Sequence, residues 1–139
     1  MNLYFSCSLT GGRADQPVYP AIVDFLLGQG HQVLTAHLAR PEVMLEEKTI
    51  EPLTVFERDI AWLEASDAVV AEVSTPSHGV GYEIAYALGR GKPVLCLHRQ
   101  EARVSKMLTG NTAASLTVRA YASQAEALEA VQLFLLEKS

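Results

Sequence analysis

Two short, almost uninterrupted apolar runs constrain the fold of this chain more than any other feature. They are DAVVAEV (67–73) and PVLCL (93–97), and a stretch with helical character lies between them at 79–91. A strand that helices cover on both faces is apolar at nearly every position, whereas a strand with one solvated face alternates. The two runs therefore predict the central strands of a parallel sheet that is buried on both sides.

Strand-like and helix-like segments alternate along the rest of the chain as well. The predicted elements are, in chain order, a strand at 2–8, a helix at 16–27, a strand at 32–36, a loop or short helix at 41–52, a helix at 53–63, the strand at 67–73, a helix at 79–91, the strand at 93–97, a short helix at 102–108, a strand at 116–121 and a helix from 123. Ser123 and Glu126 give the last helix the S-x-x-E start of a capping box. Because neither a repeat nor a linker divides the chain, the alternation predicts a single α/β domain over residues 1–139. Its expected architecture is a flavodoxin-like, five-stranded parallel sheet of order 2-1-3-4-5 with helices on both faces.

Composition narrows the class of protein. The chain has 139 residues, of which 49% are hydrophobic and 19% are charged, and such proportions are normal for a globular domain. It has neither the pattern of a secretory signal peptide nor an apolar run of about 20 residues that could cross a membrane. The sequence therefore predicts a cytoplasmic protein without a membrane partner.

The charged and metal-binding residue types favour a small-molecule ligand. The formal net charge is −5 and the Lys and Arg residues are dispersed, which argues against a nucleic-acid partner because such binding depends on clustered basic residues. Cys7 and Cys96 fall in apolar strand-like runs, which predicts buried free thiols rather than a disulfide. The four histidines are scattered and no CxxC motif is present, so we expect no metal site.

The loops after the first and third predicted strands contain the least ordinary residues. In an open parallel sheet, ligands bind beyond the carboxyl ends of the strands where the strand order reverses, which here lies between strands one and three. The loops read SCSLTGGR (6–13) and STPSHGVGYE (74–83), and both combine hydroxyl groups with glycines ahead of a helix. Such loops can bring backbone N–H groups to a phosphate, with Arg13 as an optional cation. Ordinary glycine turns with hydroxyl caps would have the same pattern.

Two carboxylates lie near this predicted site. Glu83 falls in the first turn of its predicted helix, where the helix dipole is expected to lower its pKa and keep it ionised; the alternative is a routine first-turn acid. Asp59 follows Phe56 by three residues and precedes Leu63 by four, so it borders the apolar face and should have a raised pKa. The alternative for Asp59 is an acid at the edge of that face. Two carboxylates in different environments suit glycosyl chemistry, in which one attacks the anomeric carbon and the other protonates the leaving group.

The other polar candidates are weaker. His37, at the end of the second predicted strand, could touch a ligand, although packing or capping is its usual role. Tyr4 lies inside the first strand, where core packing is the default. Glu72 is expected to pair with a helix or with the end of its strand, and Glu46 and Glu47 are expected to be solvated.

With these residues placed, the chain resembles a known family. YFSCSLTGGR (4–13), RDIAWLEASDAVVAEV (58–73) and PSHGVGYEIAYALGRGKPVLCL (76–97) are similar to segments of the 2′-deoxynucleoside 5′-phosphate N-hydrolases, which belong to the nucleoside 2-deoxyribosyltransferase superfamily. The S-x-G-V-G-Y-E stretch at 77–83 is the most specific part. The resemblance implies a flavodoxin-like fold, a homodimer, and hydrolysis of a (deoxy)nucleoside 5′-monophosphate without a metal or organic cofactor.

The resemblance also implies roles for individual residues. Glu83, Asp59 and Tyr4 would be catalytic, with Glu83 as the nucleophile that forms a glycosyl-enzyme intermediate and Asp59 assisting departure of the base and attack of water. The substrate-binding residues would be Cys7, Ser8, Leu9, Thr10, Gly11, Gly12, Arg13, His37, Ser77, Gly79, Ser105, Lys106 and Met107. Among them, Ser8, Ser77 and Gly79 would hold the phosphate, and Ser105 in RVSKMLTG (103–110) would reach the neighbouring subunit's site.

The chain departs from the better-known members at two positions, and three other functions stay open. Cys7 replaces a glycine and Thr10 replaces an arginine, which bears on base preference and on affinity for phosphate. A nucleoside 2-deoxyribosyltransferase would bind a 5′-hydroxyl, commonly with an amide, whereas the serines here fit a phosphate. A phosphoribohydrolase loop, P-G-G-x-G-T-x-x-E, matches 76–83 only in part. A non-catalytic nucleotide sensor would gain little from keeping both Asp59 and Glu83.

Overall fold

Five parallel strands form the sheet, in the spatial order β2-β1-β3-β4-β5. The computed structural model describes residues 1–9, 15 and 17–139. The strands are β1 (Asn2–Ser6), β2 (Gln32–Val33), β3 (Ala68–Glu72), β4 (Val94–Arg99) and β5 (Leu116–Tyr121). The helices are α1 (Val18–Gly28), a 3₁₀ helix (Ala36–Ala39), α2 (Val43–Glu47), α3 (Pro52–Ala65), α4 (His78–Gly89), α5 (Lys106–Thr109) and α6 (Gln124–Lys138). The predicted flavodoxin-like order 2-1-3-4-5 is confirmed.

The sheet separates two hydrophobic cores, because successive side chains of a strand point to opposite faces. On one face, Leu3 and Phe5 of β1 pack with residues of α1 and α6, such as Ile22 and Phe134. On the other face, Tyr4 packs with residues of α3 and α4. All five residues of β3 are buried, as the apolar run predicts. Cys7 and Cys96 are free and buried, which confirms that prediction.

The second strand is shorter than the predicted 32–36, and Thr35 gives the physical reason. After Val33 the chain turns into the 3₁₀ helix. The Thr35 hydroxyl accepts a hydrogen bond from the Phe5 backbone N–H at 2.8 Å and donates one to the Phe5 carbonyl at 2.7 Å. A side chain therefore replaces the strand backbone as the partner of β1, and the chain leaves the sheet early.

The other boundaries differ by a few residues. Residues 41–52 include the short helix α2, one of the two predicted alternatives, and the short helix predicted at 102–108 begins only at Lys106. The last helix begins as predicted, since the Ser123 hydroxyl accepts a hydrogen bond from the Glu126 N–H at 3.2 Å. The Glu126 carboxylate reaches back to the Ala122 N–H at 2.6 Å.

Asp15 connects three segments at the carboxyl edge of the sheet. Its buried side chain accepts a hydrogen bond from the Thr75 hydroxyl, in the loop after β3, at 2.5 Å. It also pairs with the Arg99 guanidinium, at the end of β4, at 2.5 Å. The Asp15 side chain therefore links the segment that follows β3 to the end of β4. Within the described ranges, no helix is long and apolar enough to span a bilayer.

Candidate active site

The end of β1 supplies two polar side chains to one face of the sheet. Tyr4 and Ser6 are two residues apart, so they point to the same side, which is the side covered by α3 and α4. Both side chains are buried. The Ser6 hydroxyl donates a hydrogen bond to Glu83 Oε2 at 2.8 Å, and the Tyr4 hydroxyl interacts with the same carboxylate. Sequence reasoning did not single out Ser6, although its alternation with Tyr4 is the signal that could have found it.

Helix α4 carries Glu83 toward these hydroxyls. Val80, Ile84 and Ala87 of α4 are buried against the sheet, whereas Gly79, Tyr82 and Glu83 line an adjacent cavity. This split follows from the helical repeat, which groups residues three and four apart on one face. Because α4 begins at His78, Glu83 lies in the second turn, and the prediction of a first-turn position is wrong.

The electrostatic prediction for Glu83 is also wrong. Burial raises the pKa of Glu83 from 4.5 to about 7, against the lowering effect of the hydrogen bond from Ser6 and of the nearby Tyr4 hydroxyl. The negative charge of Asp59 adds to the increase, and Arg58 opposes it. Desolvation disfavours a carboxylate, and at the second turn the helix dipole has largely fallen off. Glu83 therefore titrates near neutral pH.

Asp59 lies where the helical spacing of α3 predicts. It lines the same cavity as Glu83, together with its helical neighbours Phe56, Ile60 and Leu63. Its side chain is 17% exposed. Burial raises the pKa of Asp59, and the hydrogen bond from Arg58 partly offsets that increase. The predicted raised pKa is confirmed.

Two residues that sequence reasoning missed surround Asp59. The Arg58 Nε donates to Asp59 Oδ1 at 2.9 Å, and its Nη2 donates to Glu47 Oε1 at 2.9 Å. Glu47 is only 12% exposed and also lies 3.6 Å from His37 Nε2, so the prediction that Glu47 is solvated is wrong. His37 is in the 3₁₀ helix rather than in the second strand, and its ring meets the Trp62 ring edge-on.

The cavity that contains both carboxylates has a volume of about 530 Å³. Most of its wall is apolar, and α2 and the segment after it close one side. Its apolar lining residues are Leu9, Met44, Ile50, Pro52, Val55, Phe56, Ile60 and Leu63. Phe56 and Tyr82 are half exposed at this cavity, with ring centroids 6.3 Å apart. A small organic ligand fits such a site, since pockets of this kind combine an apolar wall with a few polar groups.

The N-terminus of α4 lies beside Glu83. Ser77 caps the helix by accepting a hydrogen bond from the Val80 N–H at 3.4 Å. A methyl group at Gly79 would lie 3.8 Å from Glu83 Oε1 and 3.9 Å from Ser77 Oγ. The space above Gly79 is thus bordered by the carboxylate and by the serine hydroxyl. Because the first N–H groups of a helix lack intrahelical acceptors, an anion can bind here.

The other predicted binding residues fall in different places. Leu9 lines the cavity, Ser8 is fully buried, and Cys7 packs in the opposite core with its thiol 3.6 Å from the Leu38 carbonyl. The predicted residues Thr10, Gly11, Gly12 and Arg13 lie outside the described residues. Ser105, Lys106 and Met107 line a separate groove of about 790 Å³, mostly on the other side of α4, which also includes Ser77.

The Glu72 side chain binds the residues just after the end of its own strand, as its position in β3 predicts. One carboxylate oxygen accepts hydrogen bonds from the Ser74 N–H and hydroxyl, at 2.9 and 2.5 Å. Burial raises its pKa to about 7. Among the described residues, no cluster of three His, Cys, Asp or Glu side chains has a metal-binding arrangement.

The sequence model of one family, the nucleoside 2-deoxyribosyltransferases, matches residues 3–128. This match includes β1 with Tyr4 and Ser6 and the helices with Asp59 and Glu83. The chain belongs to the nucleoside 2-deoxyribosyltransferase family. The superfamily resemblance predicted from the sequence is confirmed.

Relatives within this family carry names that describe hydrolysis. A Methanococcoides burtonii protein, provisionally named 2′-deoxynucleoside 5′-phosphate N-hydrolase 1, is 44% identical over 86% of this chain and 98% of its own length. The 5-hydroxymethyl-dUMP N-hydrolase of Mus musculus is 48% identical over 78% of this chain and 65% of its own length. The structure of a Clostridium botulinum CMP N-glycosidase superposes with a TM-score of 0.74 over 96% of this chain and 99% of that chain. At 18% identity, that superposition shows a shared fold.

Proposed function

We propose that this protein hydrolyses the N-glycosidic bond of (deoxy)nucleoside 5′-monophosphates and releases the free base and the sugar 5-phosphate. The observation that carries the proposal is the pair of carboxylates, Glu83 and Asp59, in one largely apolar cavity beside the serine-capped end of α4. The names of relatives that are 44% and 48% identical support it.

The reaction proceeds in two displacements at C1′. The ionised Glu83 carboxylate attacks C1′, and the electron pair of the breaking C1′–N bond goes to the base, which takes a proton from the Asp59 carboxyl group. Asp59, now a carboxylate, then removes a proton from water while the water oxygen attacks C1′ and Glu83 leaves. One water is consumed and both side chains return to their starting states, as in retaining glycosidases. The pair holds one proton in the productive state, so the titration belongs to the pair.

Ser6 and Tyr4 hold the nucleophile for this chemistry. Both hydroxyls interact with Glu83 and lower its pKa against the larger effect of burial. They therefore favour the ionised form that the first displacement needs. Because both come from β1, the nucleophile is fixed against the sheet rather than by a surface loop.

The phosphate binds at the N-terminus of α4. Ser77, Gly79 and the loop after β1, including Ser8, would form its cradle, and the space above Gly79 connects that cradle to Glu83. Replacing Ser77 with Ala should mainly raise KM for a monophosphate, because the phosphate does not react. An unchanged KM in S77A would contradict this placement.

The protein acts as a homodimer in which Ser105 completes the neighbouring site. Within one chain, Ser105 caps the short helix α5 and lines the groove rather than the cavity with Glu83. The groove is largely apolar, and the Met107 side chain beside it is 80% exposed. A second copy that covers the groove would bury this surface and bring its own Ser105 to the phosphate.

Mixing two variants, each impaired at low substrate concentration, tests the shared site. If Ser105 acts across the interface, S105A and E83Q subunits form hybrids with one intact site, and activity returns at low substrate concentration. If Ser105 acts within its own chain, every site in the hybrid carries a defect and no activity returns. Sedimentation measures the oligomeric state in parallel, and a monomer would refute the dimer directly.

Base release tests the function as a whole. Chromatography should detect free base and sugar 5-phosphate from deoxynucleoside and ribonucleoside monophosphates, and little from the matching nucleosides, with or without an acceptor base. E64Q is a matched control for E83Q, because Glu64 is an exposed acid on α3 that pairs with Arg90. Base exchange on unphosphorylated nucleosides would instead identify a transferase, and no reaction across the panel would favour a nucleotide sensor.

A further inference from the structure

Arg58 makes an unusual set of contacts behind Asp59. Its side chain is 20% exposed, and one guanidinium group donates to Asp59 Oδ1 and to Glu47 Oε1, each at 2.9 Å. The guanidinium carbon also lies 4.9 Å from the centre of the Trp62 ring, within the range of a cation–π contact. Three separate contacts therefore fix the position of this cation.

The contact with Asp59 is not one that a helix provides by default. Adjacent helical side chains diverge, and pairs form three or four residues apart. Arg58 can turn toward Asp59 because Glu47, on α2, and Trp62, one turn along α3, hold the other parts of its side chain. A planar fork of donors suits this task, whereas a lysine ammonium could not bridge both carboxylates in the same way.

We propose that Arg58 is a positioning residue for Asp59, and that Glu47 holds Arg58 in place. This inference rests on the proposed function, in which Asp59 donates and removes protons. Arg58 donates to Oδ1, which leaves Oδ2 as the oxygen that exchanges a proton with the leaving base. Arg58 also stabilises the negative charge that appears on Asp59 when it gives up its proton.

Charged groups from every neighbouring element act on Asp59. Arg58 on α3 and His37 on the 3₁₀ helix lower its pKa, and Glu47 on α2 raises it. Glu83 on α4 and Tyr4 on β1 are coupled to it electrostatically. Arg58 and Glu47 thus act on Asp59 with opposite signs, although they form one ion pair with each other.

Because Arg58 and Glu47 shift the Asp59 pKa in opposite directions, their variants distinguish a positioning role from a purely structural one. In R58Q the Asp59 pKa should rise. In E47Q it should fall, because the amide oxygen of glutamine still accepts from Arg58 while the negative charge of Glu47 is removed. Carbon-13 NMR titration of the carboxyl groups in the free protein measures both shifts. The kcat of R58Q should decrease about 10- to 100-fold, a part of what a general acid contributes, while KM changes little. R58K should recover the pKa but only part of kcat. The pH dependence of kcat should move in the same direction as each measured pKa.

R90Q is the matched control. Arg90 also pairs with a carboxylate, at 2.8 Å from Glu64, and lies 4.6 Å from the centre of a tyrosine ring, but Glu64, unlike Asp59, does not line the cavity. R90Q should leave kcat and the Asp59 pKa unchanged. Wild-type kcat in R58Q, or pKa shifts of the same sign in R58Q and E47Q, would overturn the role of Arg58. Failure of the proposed function would appear separately, as absence of base release by the wild-type protein, while the NMR titration would still report on Arg58.

Discussion

The hydrogen bond from Ser6 to Glu83 offers a quantitative test of how the nucleophile is ionised. In S6A, the donor at 2.8 Å from Glu83 Oε2 is lost, so the pKa of Glu83 should rise above about 7. A hydrogen bond to a charged group contributes about 1.5–3 kcal/mol, and one pKa unit corresponds to about 1.4 kcal/mol. The pKa of Glu83 is therefore expected to rise by roughly one to two units in S6A.

This shift predicts a pH-dependent loss of activity. At pH 7 the wild-type Glu83, with a pKa of about 7, is half ionised. A rise of one unit leaves about a tenth of it ionised, so kcat/KM at pH 7 should fall about fivefold. After a rise of one unit, Glu83 is largely ionised in both proteins at pH 9, so the ratio of their kcat/KM values should approach one there. The assay is base release from a monophosphate, with kcat/KM measured across the pH range.

S66A is the control, since Ser66 is also buried and its hydroxyl donates at 2.8 Å to a backbone carbonyl, that of Leu63. It should show the wild-type profile. An S6A profile whose acid limb coincides with that of the wild type would refute the ionisation argument. A uniform loss at every pH would mean that Ser6 acts on geometry rather than on the pKa.

Three further predictions concern catalysis and stability. E83Q should bind nucleotide but lose turnover by orders of magnitude. The same variant tests stability, because the pKa of Glu83 is about 7 in the folded protein and 4.5 in the unfolded chain. Ionisation of Glu83 therefore lowers the free energy of unfolding of the wild type, by up to about 3 kcal/mol, as the pH rises between these two values. E83Q should therefore melt above the wild type at pH 8 and with it at pH 4, and equal melting temperatures at pH 8 would contradict the shift. D15A should lower the free energy of unfolding in urea by about 1–3 kcal/mol, since it leaves the Thr75 hydroxyl without its acceptor and the partly exposed Arg99 with Glu101 alone. E101Q, which removes a partner of Arg99 that is itself 71% exposed, should change this free energy by less than about 0.5 kcal/mol. S123A should cost about 1 kcal/mol in the same measurement through loss of the α6 cap, and no change would show that the cap is dispensable.

The sheet could be predicted from the sequence because burial on both faces leaves a direct trace in composition. The run at 67–73 contains β3, and the fifth strand has the predicted bounds Leu116–Tyr121. The prediction of the second strand was less accurate. The residues after Val33 have a strand-like sequence, but the Thr35 side chain forms the hydrogen bonds with the Phe5 backbone. Apolar patterning carries no information about such a substitution of side chain for backbone.

The candidate site was predictable in its carboxylates but not in their partners. Helical spacing placed Asp59 beside the apolar face, and the topology rule placed Glu83 at the mouth of the sheet. The raised pKa of Glu83 could not be predicted, because the burial that causes it depends on β1, α3 and α4 coming together. The contact between Arg58 and Asp59 was missed because it depends on Glu47, eleven positions before Arg58 in the sequence.

Helix α4 is a wall shared by two surfaces. Over twelve residues it presents Gly79 and Glu83 to the cavity, and Gly81 and Ala85 to the groove on its other side. A substitution on the groove side of α4 therefore acts on the same rigid segment that carries the nucleophile. Substitutions at Gly81 and Ala85 are therefore expected to affect turnover, although neither residue lines the cavity that contains Glu83.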